Sequence, residues 1–164
     1  MDYPLLLDGT KGLPDIFELV KRAVERDVGY ARGGLMLALA DLGNHPHGFI
    51  GAFYPIATNV IVMNKVPLAR IQETKPNLYR AYAFHVLLHE YLHAVGFIDE
   101  MQCRRKVHAI SLQLFGDGHP VTQIAEDVSR FFPNLVYPDV AWQPEGLSIE
   151  LVKGFDRGNT GYIA

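Results

Sequence analysis

The sequence has a single cysteine, Cys103, so no disulfide can form within the chain and no cysteine-rich structural zinc site can be built from it. It has no block of five or six like charges. Its 15 Lys+Arg stand against 18 Asp+Glu, a formal net charge of -3, which leaves no extended positive footprint for a phosphate backbone and argues against nucleic acid as a partner. Long apolar runs are missing too: Pro55, Thr58 and Asn59 interrupt the longest candidate, so no membrane span is expected. The opening residues, MDYPLLLDGTKG, lack a basic stretch and offer only the Leu5, Leu6, Leu7 run, and read as neither a secretory signal nor a membrane anchor. These absences lead to the expectation of a cytoplasmic protein. Its 164 residues, 49% of them hydrophobic, suffice for one domain with its own core.

The patterning predicts an α+β chain. After Pro14, the stretch 15–26 places Ile16, Phe17, Leu19, Val20, Ala23 and Val24 at helical spacing. Residues 35–42 read as a buried strand opened by Gly33-Gly34, and 49–54 and 59–66 as two more strands stopped by Pro55 and Pro67. A long helix is predicted over 76–95, with Pro76 in its first turn and Gly96 as its stop. A second follows from Asp99 or Glu100 to Phe115, and a third over 121–132. Residues 133–164, with Pro133, Pro138 and Pro144, read as an irregular C-terminal wrap holding one short strand near 147–152. The last ten residues, 155–164, read as a disordered terminus.

The 76–95 helix carries His89-Glu90-Tyr91-Leu92-His93, an H-E-x-x-H pattern. Histidines four apart on a helix share one face, so both imidazoles can bind a single metal ion, while Glu90 projects beside that ion and can take a proton from water and pass it to a leaving amine. Chance places the five-residue pattern in a shuffled chain of this composition roughly one time in 70. The continuation supplies Gly96 and Asp99, giving H-E-x-x-H-x-x-G-x-x-D. A glycine there can end the helix in a left-handed turn, and a ligand-type side chain three residues on can swing back to the metal.

Through His89, Glu90, His93, Gly96 and Asp99 the chain resembles the zincin metallopeptidases, above all the branch whose glycine-turn signature ends in Asp, and small archaeal zincin-like proteins. The resemblance implies one zinc per chain held by His89, His93 and Asp99, Glu90 as the catalytic base, and a peptide or protein substrate. It also implies a zincin-like fold, with a helix and a small mixed sheet before the active-site helix. The strand 59–66 would be the sheet edge that pairs with extended substrate. Departures from the family pattern keep the third ligand open. The chain has no methionine after Met101, so the methionine turn of metzincins is missing. Gluzincins take a glutamate from a later helix instead, which nominates Glu126 or Glu100; His108 and His119 are chemically competent as well.

Other residues receive plainer readings. His85 lies one turn before His89 but is rotated from His93 by roughly 80 degrees over eight residues of helix, which disfavours shared ligation. His45 and His47 read as solvated turn residues beside Pro46. Tyr79, Tyr82, Phe84 and Tyr91 read as packing residues, and Cys103 as a small buried hydrophobe. His108, His119, Tyr137 and Tyr162 are eligible oxyanion donors. The rival to an enzyme is a catalytically silent, zinc-stabilised binding or adaptor module with a closed four-ligand shell.

Overall fold

A computed structural model describes residues 1–43, 49–55, 57–133, 135–136 and 149–155. Two helices open the chain. In α1 (Tyr3–Asp8) the Asp2 side chain caps the first turn by accepting from the Leu5 amide, and α2 (Leu13–Val28) has Pro14 in its first turn and stops at Gly29, φ +86. The spacing predicted over 15–26 is the face that α2 buries: Ile16, Phe17, Leu19, Val20, Ala23 and Val24 are all inside.

Strand β1 (Met36–Ala40) runs through the apolar stretch expected at 35–42. The stretch 49–54, expected as one strand, is two: β2 (Phe49–Ile50) and β3 (Ala52–Phe53) break at Gly51, whose carbonyl accepts from the Asn64 amide at 2.8 Å. β2 pairs in parallel with β5 (Leu135–Val136), in a sheet separate from β3. β3, β4 (Val60–Asn64), β1 and β6 (Ile149–Leu151) form the four-stranded sheet in that order, with β1 and β4 parallel and Leu37 opposite Ile61. The two outer pairings are antiparallel. β4 therefore lies between β3 and β1, which corrects its expected place as an edge; among the described residues the edges are β3 and β6. The strand expected near 147–152 is β6, with residues 147–148 outside the described residues.

Alternation gives the sheet two apolar faces. Leu35, Leu37, Ile61, Met63 and Ala52 join the main core, whereas Ala38, Ala40, Val62 and Phe53 form a small separate cluster. At the end of β4 the fully buried Asn64 turns strand into helix: its Oδ1 accepts from the Leu42 and Val66 amides, and its Nδ2 donates to the Gly43 and Ile50 carbonyls. The helix it starts, α3 (Lys65–Thr74), was not expected, because Pro67 reads as a strand stop; Pro67 sits in the first turn, where an amide is not needed.

The helix expected over 76–95 is a 3-10 turn at Pro76–Leu78 followed by α4 (Tyr79–Ala94). From Ala81 to Ala94 every residue of α4 is buried, and the helix touches α1, α2, α3, β3, α5 (Glu100–Phe115) and α6 (Pro120–Glu126). Its aromatics pack as expected: Tyr82 edge-on to Phe132 at 4.9 Å, Phe84 to Phe115 at 5.0 Å and Tyr91 to Phe17 at 5.3 Å. The helix predicted over 121–132 is shorter. It breaks at Asp127, φ -154, whose carboxylate accepts from the Ser129 amide and starts a 3-10 turn at Val128–Arg130. Phe155, expected within a disordered terminus, is 2% exposed and stacks on Phe17 at 4.0 Å; residues 156–164 lie outside the described residues. No helix among the described residues is long and apolar enough to cross a membrane.

Candidate metal centre

His89 and His93 face the same way from the last two turns of α4, ring centroids 4.9 Å apart, and both are buried. The helix ends in a glycine-dependent cap. The Gly96 amide donates to the His93 carbonyl at 3.1 Å and the Phe97 amide to the Leu92 carbonyl at 2.9 Å, with Gly96 at φ +118, a conformation that L side chains rarely adopt. That turn returns the Phe97 carbonyl to His93 Nδ1 at 2.7 Å. With Nδ1 donating there, Nε2 is the atom presented to the site.

The same turn delivers α5. Asp99 is its N-cap, and the Asp99 carboxylate accepts from the Gln102 amide at 2.9 Å. Glu100, one residue later, places Oε1 at 3.1 Å from His89 Nε2 and 3.0 Å from His93 Nε2. The structure thus gathers Glu100 with the two histidines and commits Asp99 to capping. The other Glu100 oxygen, Oε2, accepts from Arg104 Nε at 3.0 Å, which fixes the carboxylate plane. Cys103, one turn along α5, is fully buried and donates its thiol to the His89 carbonyl at 3.3 Å. The donor atoms of His89, His93 and Cys103 lie within 4.8 Å of one another, a buried group that could hold a metal ion.

The remaining expected residues lie elsewhere. His119 caps α6, its Nδ1 accepting from the Val121 amide at 3.1 Å, and packs on Phe115. Glu126 stands 3.6 Å from His108 Nε2, so those two pair with each other. His85 is buried one turn before His89, ring centroids 6.4 Å apart. His45, His47, Tyr137 and Tyr162 lie outside the described residues.

Burial and neighbouring charges shift the titratable groups of the cluster in opposite directions. Burial pushes the Glu90 carboxyl up to about 8, despite the opposing charge of His93. Burial also raises Glu100, but the hydrogen bonds and charges of both imidazoles outweigh it and hold that carboxyl well below the usual carboxylate range. Burial lowers His89 and outweighs its bond to Glu100. At His93 burial acts the same way, yet Glu100, Glu90 and the Phe97 carbonyl together leave it above the ordinary imidazole value. Burial, then Glu90 and Glu100, push the Cys103 thiol up.

The donor set fits zinc. Donors at 2.0–2.1 Å from a tetrahedral zinc stand roughly 3.3 Å from one another, close to the spacing between Glu100 Oε1 and each Nε2. His89 and His93 would supply nitrogen and Glu100 oxygen, a ligand combination that zinc takes readily. The sequence held a signal for this choice. Aspartate is a preferred N-cap, and a helix predicted to start at Asp99 or Glu100 assigns the first to the cap and releases the second. Arg104 as the residue that orients Glu100 carries no signal in the spacing read at the start. No family model, no curated protein and no solved structure matches the chain.

Proposed function

We propose that the protein is a zinc-dependent hydrolase, a metallopeptidase, in which His89, His93 and Glu100 hold one zinc ion and Glu90 is the general base. The observation that carries this reading is the convergence of Glu100 Oε1 on both Nε2 atoms, 3.1 and 3.0 Å away, beside the buried Glu90. Zinc in such a site lowers the pKa of water and polarises a carbonyl.

The chain's own residues divide the rest of the work. Arg104 and the Phe97 carbonyl hold Glu100 and His93 in place, so the donors need little rearrangement. Glu90 is 3% exposed and burial favours its neutral form; a dication held beside it would favour the carboxylate, which could then take a proton from water and return it to the leaving amine. Peptide as the substrate rests on the resemblance to zincins. A second reading, a silent zinc-stabilised binding module, is favoured by one observation: Cys103 lies close enough to be a fourth donor.

Elemental analysis after dialysis, beside a peptide-library digest, tests the proposal. One zinc per chain in wild type and in Glu90→Gln, with cleavage by wild type alone, is the expected result. Wild type that takes up no zinc, or a fully active Glu90→Gln, overturns it.

A further inference from the structure

We infer that the cavity beside the first turn of α4, lined by Lys11 and Arg80, is a binding site for a small tetrahedral oxyanion, a phosphate group that is free or carried on a small molecule. The site is separate from the candidate metal centre. Arg80 lies near the opposite end of α4 from His89 and His93, roughly 14 Å from His89 along the axis at 1.5 Å per residue.

The cavity measures about 160 Å³ and lies where several pieces of chain meet. Lys11 and Gly12 come from the link between α1 and α2, Gln72 from α3, and Tyr79 and Arg80 from the first turn of α4. That volume is small beside the roughly 300–1,000 Å³ of pockets that take drug-sized ligands, so it suits one compact group.

Its charge has one sign. Among the described residues none that lines the cavity is acidic, and neither Lys11 nor Arg80 has a carboxylate within ion-pair distance. Asp15, in the first turn of α2, accepts from the Lys11 amide through Oδ2 at 2.9 Å. It answers the partial positive charge of that helix end, so the charge on the cavity comes from the two side chains.

Arg80 is anchored from one side. Its Nε and Nη2 both donate to the Thr10 carbonyl, at 3.1 and 3.0 Å, and Thr10 is only 6% exposed. This fixes the guanidinium plane and leaves Nη1 without a partner among the described residues. Tyr79 and Gln72 add a hydroxyl and an amide to the lining as neutral donors. Two cations and two neutral donors around one compact space match a phosphate group, whose oxygens point in several directions and which carries about -1.5 to -2 on an organic carrier at neutral pH. A carboxylate, flat and singly charged, would leave part of that set unused.

Isothermal titration calorimetry of the full-length protein with inorganic phosphate, at constant ionic strength, tests the assignment. One phosphate per chain is expected, bound about tenfold more weakly by Lys11→Gln, more weakly still by Arg80→Gln, and restored in Lys11→Arg. Acetate is expected to bind wild type at least about tenfold more weakly than phosphate. Lys11 meets Asp15 through its backbone, so Lys11→Gln keeps that contact, and a thermal melt without phosphate checks its fold. Glycerol phosphate, titrated alongside, separates the two sources: the tighter of the two ligands names whether the group is free or carried. No saturable phosphate binding, binding unchanged in both Lys11→Gln and Arg80→Gln, or acetate bound as tightly as phosphate overturns the inference. None of these outcomes touches zinc content or peptide cleavage, so the hydrolase reading stands or falls separately.

Discussion

Asp99 and Glu100 are neighbours in sequence whose carboxylates serve opposite directions. Asp99 turns forward onto the Gln102 amide and starts α5, while Glu100 turns back to the imidazoles of His89 and His93. The peptide unit between them divides a helix cap from a contact with two imidazoles.

Substitutions at these two residues should separate in the same way. Asp99→Ala removes a cap and should cost about 1 kcal/mol of stability with little change in zinc affinity. Glu100→Gln should weaken zinc binding sharply, because the amide is a poorer donor and loses its charge. Competition with a chromophoric chelator reads the affinity and urea denaturation reads the stability. Equal affinity in Glu100→Gln and wild type would remove Glu100 from the site.

Arg32 predicts a stability loss of its own. Its Nη1 donates to the Tyr54 hydroxyl and the Ala94 carbonyl and its Nη2 to the Thr58 carbonyl, while its own backbone exchanges hydrogen bonds with the Tyr91 hydroxyl. With Tyr30, whose hydroxyl donates to the Val95 carbonyl, it ties the segment after α2 to the end of the histidine-bearing helix. Arg32→Ala should destabilise by about 2 kcal/mol in urea, and Arg32→Lys by nearly as much, because one ammonium cannot span three separated acceptors.

Asn64 makes four hydrogen bonds from a fully buried amide, two as acceptor and two as donor. Asn64→Asp keeps the shape and removes the donors, so it should lose about 2 kcal/mol or more despite being nearly isosteric. Thermal melts that place Asn64→Asp within error of wild type would contradict this account of how β4 passes into α3.

His85 gives a pH dependence. Burial, with His89 and Arg104 adding to it, lowers its imidazole to about 3, against an ordinary value near 6.5 in the unfolded chain. A base with a depressed folded pKa contributes stability that is complete above 6.5 and is lost as pH falls toward 3, because the unfolded chain takes up the proton first. With chelator present, the contribution should fall by about 2 kcal/mol between pH 6.5 and pH 5. His85→Gln should flatten that part of the urea-denaturation profile; an unchanged slope would assign the pH dependence to other groups.

The parts of the fold that were legible are those encoded by near neighbours. The α2 face, the buried strand at β1 and the run of α4 follow from spacing within a few residues, and the facing of His89 and His93 needs only helical geometry. What sequence alone missed depends on partners elsewhere. Nothing within 49–54 announces that Gly51 gives its carbonyl to Asn64 and sends the two flanking pairs to different sheets. Phe155 reads as terminal until Phe17 is seen stacked on it. α3 was hidden because a proline that ends a strand and a proline in a first helical turn look alike without Asn64 in place to cap the helix. At the candidate site the motif supplied two histidines that face one way, and of the adjacent acids it is Glu100 that the structure brings to them while Asp99 caps α5.

The burial of α4 on every side from Ala81 to Ala94 separates two clocks. Its amides can reach water only when the surrounding layers come apart, so their hydrogen exchange should follow global unfolding. Glu100 and Arg104 remain 29% and 52% exposed in their side chains, which leaves the α5 flank as the way in for an ion. The proposed zinc would then be captured or stripped by swinging one surface ion pair, while the helix that carries both histidines stays closed.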